Sequence, residues 1–189
     1  QASWYRDPQR VITISELPGL YALLQEPALE ELIRQRSQPL FEEALDYFRQ
    51  EGLCDGVPFV VADTGWRGSS QYALSALLHK ANQRPPGGLA GYYFGLNRET
   101  QLFENDRMQA FLFDWRNQPR DYRLYYFICF EMLFAADHGR TVRYQRHGYR
   151  LEPLLADPPD RPVAEAVAIH HTQASAFARQ SAAVINFDE

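Results

Sequence analysis

Apolar positions along this chain follow two rhythms. Between residues 15 and 52 they recur at helical spacing, and Leu40, Phe41, Ala44, Leu45 and Phe48 make one apolar face. Ser15 reads as the N-cap of a helix over 16–25, with Pro18 restricting where it begins. Pro27 opens a second helical stretch to residue 36. Ser37 caps a third, with Pro39 in its first turn, and Gly52 stops it. A short β-prone run, Val11-Ile12-Thr13-Ile14, precedes them. From Gly56 onward the apolar residues form short continuous runs. Residues 57–62 are apolar and β-branched, too few for a helix, and predict a buried strand.

A Gly-rich loop covers 63–68. A helix then starts at Ser69 or Ser70 and runs to about residue 82, with Tyr72, Ala73, Leu74, Leu77 and Leu78 as its apolar contacts. Arg84-Pro85-Pro86-Gly87-Gly88 breaks it, and 89–96 is a second strand. Strand, helix, strand in that order implies a parallel pair with a right-handed crossover. Residues 97–120 are polar around an aromatic island, Ala110-Phe111-Leu112-Phe113, which reads equally as a strand or a packed loop. A helix follows over 121–136. Residues 141–145 and 149–155 predict a hairpin turning near His147-Gly148. After a break at 157–160, Pro162 begins an Ala-rich helix to about residue 183. The expected fold is α/β: a short, mostly parallel, Rossmann-like sheet flanked by helices, with a helical N-terminal section and a C-terminal helix. It forms a single domain over 1–189, with a helical section at 15–52, an α/β core at 56–155 and the last helix at 162–183.

Composition narrows the partners. With 189 residues and 46% apolar content, one domain can bury a sizeable core. The net charge of −5 argues against a nucleic-acid binder, whose affinity rests on clustered Lys and Arg. Cys54 and Cys129 are too few for a disulfide framework or a cysteine zinc site, and Cys129, inside an apolar helical run, reads as a buried structural thiol. No apolar run approaches the ~20 residues of a membrane span, and no signal peptide is read. A cytoplasmic setting is the default expectation. The first residue is Gln1, which suggests a piece excised from a longer protein.

The candidate chemistry centres on Asp63-Thr64-Gly65-Trp66-Arg67-Gly68-Ser69-Ser70-Gln71. A strand ending in an acid, a Gly-rich turn and a helix N-terminus is how α/β proteins build anion sites. Gly65 and Gly68 permit close backbone approach. Ser69 and Ser70 present amides at a helix start, Arg67 can clamp an anion, and the Trp66 ring offers a stacking surface. The plainer reading is a tight turn with Trp66 buried and Arg67 in solvent. The Lys and glycine spacing of a Walker loop are missing, as is the dinucleotide fingerprint. Glu131 is the second anomaly: helical spacing sets it among Leu124, Phe127, Ile128 and Phe134, on an apolar face. A buried carboxylate there needs a partner, a proton or a cavity, so Glu131 is a candidate acid/base or a partner for an amide or an Arg. The histidines are scattered, with no ligand spacing, and neither a metal nor a cofactor is expected.

Residues 63–71 resemble a motif, Asp-x-Gly-Trp-x-Gly-Ser-x-Gln, found after the HAD-hydrolase portion of large proteins from bacterial surface-polysaccharide loci, some of them fused to glycosyltransferases. Phe130-Glu131-Met132-Leu133-Phe134 followed by 139–144 is similar to a later helix and strand of that family, and 148–153 also fits. The resemblance spans roughly residues 40–155. The Asp-x-Asp nucleophile of HAD phosphoryl transfer is absent, so HAD chemistry does not carry over. A more local resemblance, over 61–69, is to phosphoribosyltransferases, though the paired acids of that loop are missing and Trp66-Arg67 are inserted.

The resemblance implies an accessory or catalytic domain of a surface-polysaccharide biosynthesis protein that binds a sugar-phosphate or nucleotide-sugar. Asp63 would orient hydroxyls, Glu131 would act as acid/base, and Thr64, Gly65, Trp66, Arg67, Gly68, Ser69 and Gln71 would hold the ligand. The rival expectations are a non-catalytic module packing on a HAD or glycosyltransferase domain of the parent protein, and a phosphoribosyltransferase-like enzyme. No nucleic acid and no membrane span enter any of them.

Overall fold

A computed structural model describes residues 9, 11–117, 131 and 133–182. The chain divides into two units, Gln1–Glu42 and Glu43–Glu189.

The first unit is helical. Its entry is organised by Glu16, whose carboxylate accepts the Thr13 N–H at 3.0 Å and the Thr13 hydroxyl at 2.8 Å. The capping residue is therefore Thr13 rather than Ser15, and a 3-10 turn, Ile14–Glu16, leads into α1 (Leu17–Leu24). The β-prone run before it forms no strand. The two helices expected on either side of Ser37 are one, α2 (Pro27–Gln50), with Pro39 inside it. Pro39 removes one helical hydrogen bond, to the carbonyl four residues back, but Gln35 is exposed and water can serve that oxygen. The Ser37 hydroxyl bonds back to the Arg34 carbonyl at 3.3 Å instead of capping forward. Pairs at helical spacing, Arg34 with Glu31 at 2.6 Å and Gln38 with Glu42 at 2.8 Å, support the exposed turns on either side.

The second unit contains the α/β core. Strands β1 (Val60–Asp63), β2 (Ala90–Leu96) and β3 (Arg107–Asp114) form one parallel sheet in that order, with α3 (Ser69–Lys80) connecting the first two. The protein is thus mixed α/β, with a short parallel sheet, flanking helices, a helical N-terminal section and a C-terminal helix. The aromatic island at 110–113 is the third strand, which begins at Arg107. Residues 97–106 link β2 to β3 without a helix. Phe103 in that link packs against Tyr72 and His79 of α3, at ring distances of 5.6 and 5.4 Å, so both connections lie on one side of the sheet. Tyr93, Leu96 and Met108 form the buried core beneath them, with Ala110 against it.

Two buried polar clusters fix α3 to the sheet. Gln71 is fully buried. Its amide donates to the Leu89 carbonyl at 3.1 Å and the Arg107 carbonyl at 3.4 Å, and its Oε1 accepts the Tyr93 hydroxyl at 2.9 Å. Gly91 makes the space, since a Cβ there would lie 2.0 Å from the Gln71 Oε1. Asp106 accepts from the Ser75 hydroxyl at 2.6 Å, the Leu89 N–H at 2.8 Å and the Arg84 guanidinium at 2.7 Å. Arg84 also lies 4.8 Å from the centre of the Phe103 ring. These bonds satisfy charges that burial would otherwise penalise by several kcal/mol per ion.

The opposite face of the sheet is open: Val60 is 58% exposed, Tyr92 53% and Phe111 81%. Parallel sheets are usually covered on both faces, so this one is unusual in its exposed aromatic strands.

The rest of the second unit is a hairpin and a helix. Strands β4 (Thr141–His147) and β5 (Arg150–Leu155) pair antiparallel as expected. The hairpin docks on the last turns of α2. Tyr144 stacks on Tyr47 at 4.2 Å, Arg143 pairs with Glu43, and the Gln50 amide donates to the Leu151 carbonyl at 2.9 Å while its Oε1 accepts the Leu151 N–H at 2.7 Å. The final helix, α4 (Arg161–Ala182), buries Val167, and His171 Nε2 lies 2.8 Å from the Ala135 carbonyl oxygen. Most of the helix expected over 121–136, including Cys129, lies outside the described residues; Glu131 and Leu133 are helical. Among the described residues no helix is long and apolar enough to cross a membrane.

Asp106→Asn should cost about 3–5 kcal/mol, because it leaves the Arg84 guanidinium buried without its counter-charge. Arg67→Ala, which breaks a pair more than half exposed on both sides, should cost less than about 1 kcal/mol. Urea midpoints of the two variants, at unchanged slope, measure the difference.

Candidate functional site

Asp63 ends β1, and its carboxylate accepts the Gly65 N–H at 3.2 Å. The register pairs Asp63 with Tyr93, so the Asp63 side chain falls on the α3 side of the sheet. The chain then crosses the C-terminal end of β2. At Gly65, with φ +135° and a cis peptide to Trp66, a Cβ would lie 2.5 Å from the Gly95 carbonyl oxygen, so no side chain fits. Gly68, left-handed at φ 69°, is the N-cap of α3, which begins at Ser69. The cap is thus a glycine rather than Ser69 or Ser70, and a Cβ on it would strike the Met108 side chain. No side chain caps this end, and the donors of the first turn are left to solvent or a ligand, where the dipole favours an anion. Ser69 and Ser70 are exposed.

The loop is held from its far side. The Asn97 and Gln101 N–H groups donate to the Trp66 and Arg67 carbonyls, each at 2.8 Å, and the Thr100 hydroxyl donates to the Trp66 carbonyl at 3.3 Å. The Trp66 ring stacks on Phe113 at 5.5 Å and 9°, and Phe113 stacks on Trp115 at 4.4 Å. The Trp66 indole N–H donates to the Glu131 Oε1 at 2.5 Å. Two positions singled out separately in the sequence, 65 residues apart, therefore meet through one hydrogen bond.

Three of the expected site residues sit differently from their expectations. Glu131 is exposed, not buried on an apolar face; its carboxylate is turned to the Trp66 indole. Arg67 is exposed and paired with Glu99 across the loop. Gln71 is sealed under the sheet with both its amide donor and its acceptor engaged, so it holds structure rather than ligand. Among the histidines, His138 Nδ1 lies 2.8 Å from the Gly139 carbonyl oxygen and His147 Nε2 lies 2.8 Å from Gln145, away from the loop's own bonds. Among the described residues no group of three or more His, Cys, Asp or Glu is placed to hold a metal.

Asp63 and Thr64 also rim a groove of about 370 Å³ on the open face, lined by Tyr92, Phe94, Phe111 and Phe134. Phe94 meets Phe111 edge-on at 6.3 Å and Phe134 at 5.0 Å. Sequence reasoning passed over these aromatics. The signal was present in the alternation of Tyr92 and Phe94, but it is short, because the register shift after Tyr93 turns Leu96 into the core.

Tyr93 lies beneath the site. Burial, then the neighbouring carboxylates of Asp63 and Asp106, push its phenol from 10.0 up to about 12. The folded protein therefore keeps this proton after the unfolded chain has lost it. The associated stability is fully present below pH about 10 and is lost as pH rises through about 12. Tyr93→Phe should flatten that alkaline loss in urea midpoints taken from pH 8 to 12. At pH 8 it should already be less stable by about 1–3 kcal/mol, because Gln71 Oε1 is left without a donor.

A scan against protein-family models returns no match to this chain, and neither does a search of curated proteins.

Proposed function

We propose that residues 63–69 and the aromatic groove beside them bind a sugar-phosphate or nucleotide-sugar, as part of a bacterial surface-polysaccharide biosynthesis protein. The observation that carries this reading is the uncapped N-terminus of α3 beginning one loop after a carboxylate at a strand end, both on the same side of the sheet. The amides of 66–69 suit a phosphate, the Gly65 N–H being held by Asp63. Asp63 accepts sugar hydroxyls, and the aromatic rings offer faces for a sugar or base. Arg67 reaches the phosphate by leaving Glu99, an exposed pair whose loss costs little. Glu131 holds the Trp66 ring through Oε1, and Oε2 exchanges a proton with a ligand hydroxyl.

Calorimetric titration with UDP-glucose, UDP and glucose 1-phosphate tests this reading. The expected result is saturable binding that Asp63→Ala weakens about tenfold or more, the effect of one lost hydrogen bond to a charged group. Equal affinities for the variant and the parent would remove Asp63 from the site.

A second reading is favoured by a separate observation, the exposure of Tyr92, Phe111 and Phe134 on one face. There the domain is a non-catalytic module that packs on a HAD or glycosyltransferase domain of its parent protein, since contiguous apolar surface marks a partner site. On this reading the isolated chain self-associates in sedimentation runs, Phe111→Ser makes it monomeric, and none of the three ligands binds.

A further inference from the structure

The strands' other ends open onto a second and larger cavity, of about 620 Å³, where β1, β2 and β3 begin at Val60, Ala90 and Arg107. Well-packed interiors hold few voids larger than a water molecule, whereas ligand pockets run from about 300 to 1,000 Å³. The walls are largely apolar, with Val57 and Pro58 facing the turn at Pro85 and Pro86. Arg84 and Arg107 line the cavity, and among the described residues no Asp or Glu does.

The two arginines are not equivalent. The charge of Arg84 is balanced by Asp106, yet its Nε is buried with no acceptor. Arg107 is exposed, and among the described residues no carboxylate pairs with it. One positive charge without a carboxylate partner among the described residues thus lines a cavity whose remaining surface is mostly apolar. We propose that this cavity is a binding site, separate from the loop at the opposite edge of the sheet, for an amphipathic monoanion. Its single anionic head meets Arg107, and a compact apolar body lies against the prolines. Arg is suited to this work because its planar fork matches an oxyanion and is weakly hydrated.

Cys54 lines the same cavity and reports on its occupancy. Burial holds its thiol above the usual range, so alkylation by iodoacetamide is followed at pH about 9 by peptide mass mapping. Naphthalene-1-sulfonate is the probe, with 2-naphthalenemethanol as its neutral counterpart and inorganic sulfate as the bare head group. Saturable slowing of Cys54 alkylation by the sulfonate is expected. Protection should be about tenfold weaker with the neutral compound, and about tenfold weaker in Arg107→Gln, an exposed change that leaves the fold intact. Sulfate alone should give none. No protection at millimolar sulfonate, equal protection by the neutral compound, or an unchanged affinity in Arg107→Gln overturns the proposal. Protection by sulfate as good as by the sulfonate overturns the role of the apolar body.

Discussion

The buried amide of Gln71 is the interaction on which the core depends. Parallel strands joined by crossovers leave backbone carbonyls at their first residues, and those of Leu89 and Arg107 face the underside of α3. A hydrophobic side chain at position 71 would leave the Tyr93 hydroxyl without its acceptor in a dry interior, at about 1–3 kcal/mol, and would forfeit the added bonds to the Arg107 carbonyl and to the Leu89 carbonyl, which also takes the Arg107 N–H at 2.9 Å. The Gln71 amide reaches them together and takes the Tyr93 hydroxyl at its other end. One side chain thereby ties a helix to two strands and to the largest fully buried side chain, Tyr93. Gly91 is its counterpart, since only a residue without a Cβ leaves room.

Asp106 makes the same kind of connection one step further along. It joins Ser75 of α3 to Arg84 in the following loop and to the first bonds of β2. The N-terminal ends of the strands are thus locked by polar groups, and the α3-covered face by the packing of Tyr93, Leu96 and Met108. The loop at the C-terminal ends is tied mainly through backbone carbonyls, from the 97–101 segment. That division leaves the first amides of α3 uncommitted while the turn that presents them stays fixed, which is the arrangement an anion site needs.

Much of this was legible in the sequence. The order of strand, Gly-rich loop, helix and strand from 57 to 96 is as the pattern indicates, except that β1 begins at Val60 rather than 57 and is exposed on one face rather than buried, and the hairpin and last helix fall within one or two residues of expectation. The reasons for the misses are physical. Pro39 looked like a helix start because Pro is common there, but an exposed carbonyl tolerates the lost bond, so α2 runs through. Gln71 entered the expected site through the resemblance to a motif ending in Gln, which carries no information on burial. Its burial follows from where the third strand lies, and that position depends on pairing between distant segments. Glu131 gave a wrong burial for the same kind of reason: helical periodicity fixes a face, but not what the face meets. Its bond to Trp66 is tertiary and left no trace in local spacing.

The Gln50–Leu151 pairing carries a consequence for the small sheet. A two-stranded sheet has two unpaired edges, and each outward N–H and C=O is a template for another strand. At Leu151 both groups are taken by a side-chain amide that imitates a peptide unit, flanked by the Tyr47–Tyr144 stack and the Glu43–Arg143 pair. A second copy seeking to extend the hairpin along β5 meets a position already filled. Gln50 therefore acts as a built-in chain terminator, protecting this strand against edge-to-edge aggregation without requiring a third strand of its own.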